Sequence, residues 1–296
     1  MEYAVECKNL THYYGKRLIY ENMSFNIKKG SIFGLLGKNG TGKTTTINIL
    51  NGYLKPKSGQ CLIFGEDSQK LSPATKANVG FLMEGHIQYK FMNIGQIEKF
   101  YSQFYPKWNK EPYWELMSLL QVLPDQKLST MSCGQRSQVA LGLILAQDPD
   151  LMILDDYSMG LDPGYRRLFI DYLTEYTKDR DKTIFITSHI IQDLEGFVDD
   201  IVILDYKNVL LSSTIEDFKN NFKRFKFTLS DTKNLELSKD TVITNFEIIK
   251  NNIYIYSFSD LQNVREHLKS INISVKNLEE VPMNLEDAFI GLTGKY

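Results

Sequence analysis

The stretch Gly37-Lys-Asn-Gly-Thr-Gly-Lys-Thr-Thr45 holds the densest chemistry in this chain. From Gly37 to Thr44 it matches G-x-x-x-x-G-K-[ST], a loop that wraps phosphate. Gly37, Gly40 and Gly42, with Asn39 among them, let the backbone curl so that its N–H groups face an anion. Lys43 is placed to bridge the outer phosphates of a nucleoside triphosphate, Thr44 to put its hydroxyl on Mg²⁺, and Thr45 closes the motif. A second centre is Leu151-Met-Ile-Leu-Asp155-Asp156, an apolar run ending in two carboxylates. One carboxylate beyond a buried strand can hold Mg²⁺ beside a nucleotide. The second, Asp156, is an acceptor for a proton from an attacking water, provided it comes within about 2.6–3.2 Å. His189 follows another apolar strand, Thr183-Ile-Phe-Ile-Thr187.

These groups need a scaffold that delivers them to one place. Ser31 to Leu36 reads as a short buried strand, and Ile47, Leu50 and Leu54 recur at helical spacing after the loop. The order is therefore strand, glycine loop, helix, and the helix adds its positive end to the phosphate site. Apolar runs without alternation at about 31–36, 61–64, 79–82, 151–154, 183–187 and 201–204 predict a core sheet covered on both faces. Val5 to Ile27, with alternation at Met23, Phe25 and Ile27, predicts a small antiparallel sheet. Ser132 followed by Gln135 is the signature of a reciprocal helix cap, opening a helix over Ser137 to Gln147.

The whole chain sets outer bounds. Its 296 residues suffice for one or two domains. Lys+Arg 34 against Asp+Glu 36 leaves a net charge of −2 with no basic stripe, so no nucleic-acid partner is expected. Cys7, Cys61 and Cys133 are far apart and odd in number, which argues for reduced thiols in a cytosolic protein rather than a zinc site or disulfide framework. The opening residues mix charge with apolar side chains, so no signal peptide is expected, and no apolar run approaches the roughly 20 residues of a membrane-spanning helix.

Spacing then narrows the class. Ser132 lies 23 residues before Asp155, and Asp155 lies 34 before His189. With the phosphate loop upstream, this order resembles the ATP-binding subunits of ABC transporters over about residues 3–215. The run F-Y-P-K-W-N at 104–109 and the tail N-L-E-D-A-F-I-G-L-T-G at 284–294 resemble bacterial exporter ATPases in particular, without fixing the cargo, and Glu84 is a letter often shown by drug and antibiotic-peptide exporters. The resemblance implies an α/β fold: a P-loop NTPase core with an antiparallel β subdomain and a helical insert. It implies ATP and Mg²⁺ as ligands, an integral membrane transporter subunit as partner, and a second ATPase subunit, identical or not. The place of work would be the cytoplasmic face of the membrane.

By the same resemblance, Met131-Ser-Cys-Gly-Gln135 corresponds to a signature that faces the γ-phosphate held by the other subunit, through Ser132, Gly134 and Gln135. Asp155 matches the Mg²⁺-binding aspartate, and Ser158 to Asp162 the loop linking the two sites. His189 matches a switch histidine on the γ-phosphate. Tyr14 matches an aromatic that stacks on adenine, with Tyr13 as its alternative. The helical insert would receive the membrane subunit, and Tyr105 and Trp108 are candidates for that contact.

Four positions depart from the family pattern. Cys133 replaces a glycine. Glu84 stands where a glutamine usually reaches Mg²⁺ and the attacking water. Asp156 and Tyr157 stand where a glutamate and a proline are usual. An aspartate is shorter by about 1.5 Å, and a misplacement of about 1 Å can cost on the order of 10²-fold in rate. The expectation is normal ATP binding with slow hydrolysis, the catalytic set being Asp156, His189 and Glu84. The domain division expected is an ATPase domain at 1–215, with its helical subdomain at about 88–145, and an accessory α+β domain at 216–296.

Overall fold

A computed structural model describes residues 2–83, 89–158, 160–178, 180–229, 237–273, 275 and 277–294, and the chain divides into two compact units, Met1–Ser212 and Ser213–Tyr296. The first unit opens with two long strands, β1 (Tyr3–Tyr14) and β2 (Arg17–Lys28), paired antiparallel so that Cys7 faces Phe25 and Val5 faces Ile27. Met23, Phe25 and Ile27 are buried and their neighbours exposed, the one-sided burial that alternation forecasts. Strand β3 (Ile32–Gly37) then runs into the glycine loop and helix α1 (Lys43–Leu50).

Strands β4 (Ser58–Ile63) and β5 (Glu66–Asp67) return to the antiparallel sheet, whose order is β2-β1-β4-β5. This corrects the expectation that 61–64 joins the core sheet. Cys61 pairs with Cys7 and Ile63 with Val5, while Leu62 is only half-buried between them. Burial on alternate residues marks a strand covered on one face, a distinction that so short an apolar window conceals.

Helix α2 (Pro73–Ala77) and strand β6 (Val79–Leu82) lead to a helical insert of α3 (Ile94–Tyr101), α4 (Glu111–Leu119) and α5 (Cys133–Ala146). After it come β7 (Leu151–Leu154), α6 (Pro163–Thr177), β8 (Thr183–Thr187), β9 (Asp200–Asp205) and β10 (Asn208–Thr214). The six-stranded sheet has the order β10-β9-β3-β8-β7-β6, with β9, β3, β8, β7 and β6 successively parallel. Every residue of β7 and β8 is buried, as a strand covered on both faces requires. Register brings Leu35 beside Thr187 and Leu154 beside Ile186. The carboxyl ends of β3, β7 and β8 therefore finish together. In open parallel sheets that edge is where ligands bind.

Inside the antiparallel sheet, His12 is 3% exposed and both its ring nitrogens lack hydrogen-bond partners among the described residues. Desolvation, and then the nearby Lys57 charge, hold its pKa below the ordinary 6.5. The unfolded chain thus binds more protons than the folded one as pH falls below about 6.5, so stability rises with pH in that window. We expect the denaturant midpoint to drop between pH 7.5 and 5.5, and the drop to shrink in His12→Leu. An identical drop in the variant excludes His12 as its source.

The second unit comprises α7 (Ile215–Asn221), β11 (Lys223–Thr228), β12 (Asn245–Ile249), β13 (Asn252–Ser257), α8 (Leu261–Ser270), β14 (Glu279–Val281) and α9 (Leu285–Thr293). Its strands lie in the order β12-β13-β11-β14, all paired antiparallel. Phe225, Phe227, Ile253 and Ile255 pack against Val264 and Leu268 of α8 to form its core. The apolar residues of Ile273-Ser-Val275 alternate in a way that predicts a strand, yet none is formed by Ile273 or Val275, and Ser274 lies outside the described residues. The sheet is completed instead by Glu279–Val281, paired with β11.

Candidate nucleotide site

At the carboxyl edge of the parallel sheet lies a cleft of about 310 Å³. Its floor is the glycine loop. Gly42 has φ +108°, and a Cβ there would sit 2.7 Å from the Tyr20 ring, so only glycine fits on both counts. Gly42 caps α1 with no side-chain acceptor, which leaves first-turn N–H groups available to an anion. The Lys43 ammonium spans the loop and donates to the Gly37 carbonyl at 2.6 Å and the Lys38 carbonyl at 3.1 Å.

The end of β7 supplies the carboxylates. Asp155 Oδ1 lies 3.4 Å from Thr44 Oγ1 and accepts from Thr187 Oγ1 at 2.9 Å. Thr187 Oγ1 in turn accepts the Asp156 N–H at 2.9 Å, so one threonine at the tip of β8 fastens both aspartates. Asp156 has φ +44°, in the left-handed region that non-glycine residues rarely enter. Its Oδ2 is 2.6 Å from His189 Nε2, and its Oδ1 accepts from Ser158 Oγ at 3.2 Å. Ser158 Oγ also lies 3.1 Å from Ser188 Oγ. The carboxylate is thus nearly buried, with 7% of its side chain exposed, while the histidine reaches outward at 46%.

Tyr14 stands at the rim, half-exposed, its hydroxyl 3.4 Å from Thr45 Oγ1. Tyr14 lines the cleft and Tyr13 does not. The site therefore gathers Tyr14, Asn39, Lys43, Thr44, Asp155, Asp156 and His189. Arg17 and Thr187 also line it, and sequence reasoning missed both. Thr187 had a signal, a hydroxyl at the last position of an otherwise apolar strand. Glu84 lies outside the described residues.

The signature residues are elsewhere. Ser132 caps α5, accepting the Gln135 N–H at 3.1 Å, while Gln135 Oε1 accepts the Ser132 N–H at 3.0 Å. Gly134 has to be glycine, because a Cβ there would meet the Tyr165 ring at 2.3 Å. Cys133, in the place of a glycine, is exposed, and its Sγ lies so near Gly160 that a Cβ at that position would sit 3.2 Å from it. None of Ser132, Gly134 and Gln135 lines the cleft.

This loop, sheet and carboxylate pair define a P-loop nucleotide-binding unit of α/β class. Residues 20–158 match the ABC transporter family. Over its full length the chain is 28% identical to the uncharacterized ABC transporter ATP-binding protein YhcH of Bacillus subtilis, covering 97% of that protein. It is 29% identical to the bacitracin transport ATP-binding protein BcrA of Bacillus licheniformis, over 99% of this chain and 98% of that one. Among solved structures, a dimeric ATP-binding cassette in a post-hydrolysis state with ADP and phosphate shares the fold, with TM-score 0.62 and 21% identity over 71% of this chain and 98% of that one. Among the described residues no helix is long and apolar enough to cross a membrane.

Proposed function

We propose that the chain is the ATP-binding and ATP-hydrolysing subunit of an exporter, acting as a head-to-tail dimer at the cytoplasmic face of the membrane beneath a separate membrane-spanning partner. The observation that carries this reading is the separation of Ser132, Gly134 and Gln135 from the cleft that holds Lys43, Asp155 and Asp156. A capped, exposed helix tip presents donors to an anion it does not itself cradle, which suits a phosphate held by another copy. The bacitracin-transport relative and the ADP-bound dimeric cassette support the same assignment.

In this reading Tyr14 stacks on the base, the loop N–H groups and Lys43 hold the phosphates, and Asp156 orients a water for attack, with His189 beside it. No cluster of three or more His, Cys, Asp or Glu side chains among the described residues forms a metal cage. Thr44 and Asp155 instead offer the two oxygens of a site completed by phosphate and water, which fits Mg²⁺. When bound, Mg²⁺ neutralises charge developing on the phosphate oxygens.

Contact with the membrane partner is assigned to a groove of about 500 Å³ in the same unit, lined by Tyr53, Phe81, Met83, Tyr101 and Tyr105. Tyr53 is 67% exposed and Met83 43%, an open aromatic surface of the kind that interfaces use. Trp108 is not in the lining; it stacks on Tyr105 and donates to Glu98 Oε1 at 2.9 Å. The test is isolation of the tagged chain from membranes with ATPase measurement. A multi-span protein should accompany it, and Tyr53→Glu should lose that protein while intrinsic ATPase stays within about twofold, since truncated interface anchors cost binding rather than remote chemistry. Recovery of the chain alone, with no ATPase, rejects the proposal.

A further inference from the structure

The residue after Asp156 is more than a filler for a missing proline. The Tyr157 ring is fully buried and stacks on Phe169 of α6, with centroids 4.9 Å apart and planes at 29°. Its hydroxyl donates to Asp193 Oδ2 at 3.3 Å. Asp193 lies in the helical turn Ile191–Leu194, which begins two residues after His189. The same Oδ2 takes the Arg166 Nε–H at 2.7 Å, and Arg166 donates onward through Nη1 to the Leu161 carbonyl at 3.3 Å. One phenol therefore joins the segment of Asp156, the segment of His189 and the loop at Leu161. Burial, and then the Asp193 charge, push the phenol pKa well above its ordinary value, so it stays a donor throughout the neutral range.

Asp156 needs such an anchor. Its left-handed backbone is a conformation that persists only where the surroundings over-determine it. Thr187 and Ser158, the latter beside Ser188, fasten it from the sheet side, and Tyr157 fastens the next residue through its stacking on Phe169 of α6 and its bond to Asp193. A proline at 157 has neither a hydroxyl to reach Asp193 nor a six-membered ring to stack on Phe169.

We propose that Tyr157, through Asp193 and Arg166, is a positioning residue that holds Asp156 and His189 in register and so compensates for the shorter carboxylate. The inference rests on the ATPase reading above and deepens it. Tyr157→Phe keeps the stacked ring and removes only the hydroxyl. In the full chain kcat for ATP should fall about tenfold, a loss suited to a shift of a fraction of an ångström. KM and nucleotide affinity should stay within about twofold, because no phosphate or base contact changes. Asp193→Asn, at a partly exposed position, should reproduce the fall. In an Asp156→Glu background, where reach is restored, Tyr157→Phe should cost less than about twofold.

A loss of the same size in both backgrounds, or a raised KM at constant kcat, makes Tyr157 merely structural and overturns the inference. Full activity in Tyr157→Phe overturns it too and leaves the ATPase reading standing. An unmodified chain that turns over no ATP removes both together.

Discussion

Lys43→Ala is expected to lower ATP turnover about 10³-fold, the largest loss from any single side chain outside Asp156. The ammonium does two things at once in this loop. It fastens the Gly37 and Lys38 carbonyls, at 2.6 and 3.1 Å, and it puts a positive charge inside the cleft while only 9% exposed. A charge pair about 4 Å apart at an effective dielectric of about 20 is worth about 4 kcal/mol, which is about three decades in rate or affinity. Lys43→Arg should not rescue, since a planar fork cannot sit as a point charge between two converging carbonyls. The dimer proposal makes this loss recoverable in trans. Ser132→Glu places a negative charge on the exposed cap of α5, opposite any phosphate held by the other copy. In a mixture of the two inactive chains, each mixed dimer owns one site with an intact loop and an intact helix tip. Random pairing makes half of the dimers mixed, so about a quarter of normal turnover should return. No recovery in chains shown to exchange subunits means that Ser132 does not complete the partner's site.

Sequence and structure agree best where a residue type has one physical use. The glycine loop is legible because backbone at φ +79° and +108°, as at Gly40 and Gly42, admits little else. Strands β7 and β8 are legible because two-sided burial leaves apolar runs with no alternation. The cap of α5 follows from Ser132 and Gln135 alone, and the structure forms both of its hydrogen bonds. Other features depend on partners distant in the chain. Strand β4 looked like core sheet until its pairing with β1 set its face. Strand β12 carries no period-two burial, and β14 spans only Glu279–Val281, so neither leaves a pattern to read. Within the cleft, the bridging of both aspartates by Thr187 depends on β7 and β8 being neighbours, which no local pattern states. Tyr157 shows the same limit. Read alone it is a lost proline, and only the fold supplies Asp193 as its acceptor.

Asp156→Asn should leave ATP binding intact and cut hydrolysis by about 10²–10⁴-fold, the range that removal of a positioned acid–base group covers. The amide keeps the shape of the side chain and the Ser158 contact, but it carries no charge to pair with His189 and is a far weaker proton acceptor. ATP should therefore accumulate unhydrolysed on the closed dimer, seen as nucleotide retained through gel filtration and as a stable higher-mass species. The converse change is more revealing. Asp156→Glu extends the carboxylate by about 1.5 Å from a backbone that Thr187 and Tyr157 already fix. If reach limits the chemistry, turnover should rise, by as much as about 10²-fold for a full ångström of recovered alignment. If turnover is unchanged, the left-handed backbone at Asp156 has already carried the shorter carboxylate to its working position. One result would oppose catalysis altogether: wild-type, Asp156→Asn and Asp156→Glu chains hydrolysing ATP at the same background rate. Nucleotide binding would then serve closure alone, and the close Asp156–His189 contact would be a latch whose opening depends on ATP rather than a device for breaking it.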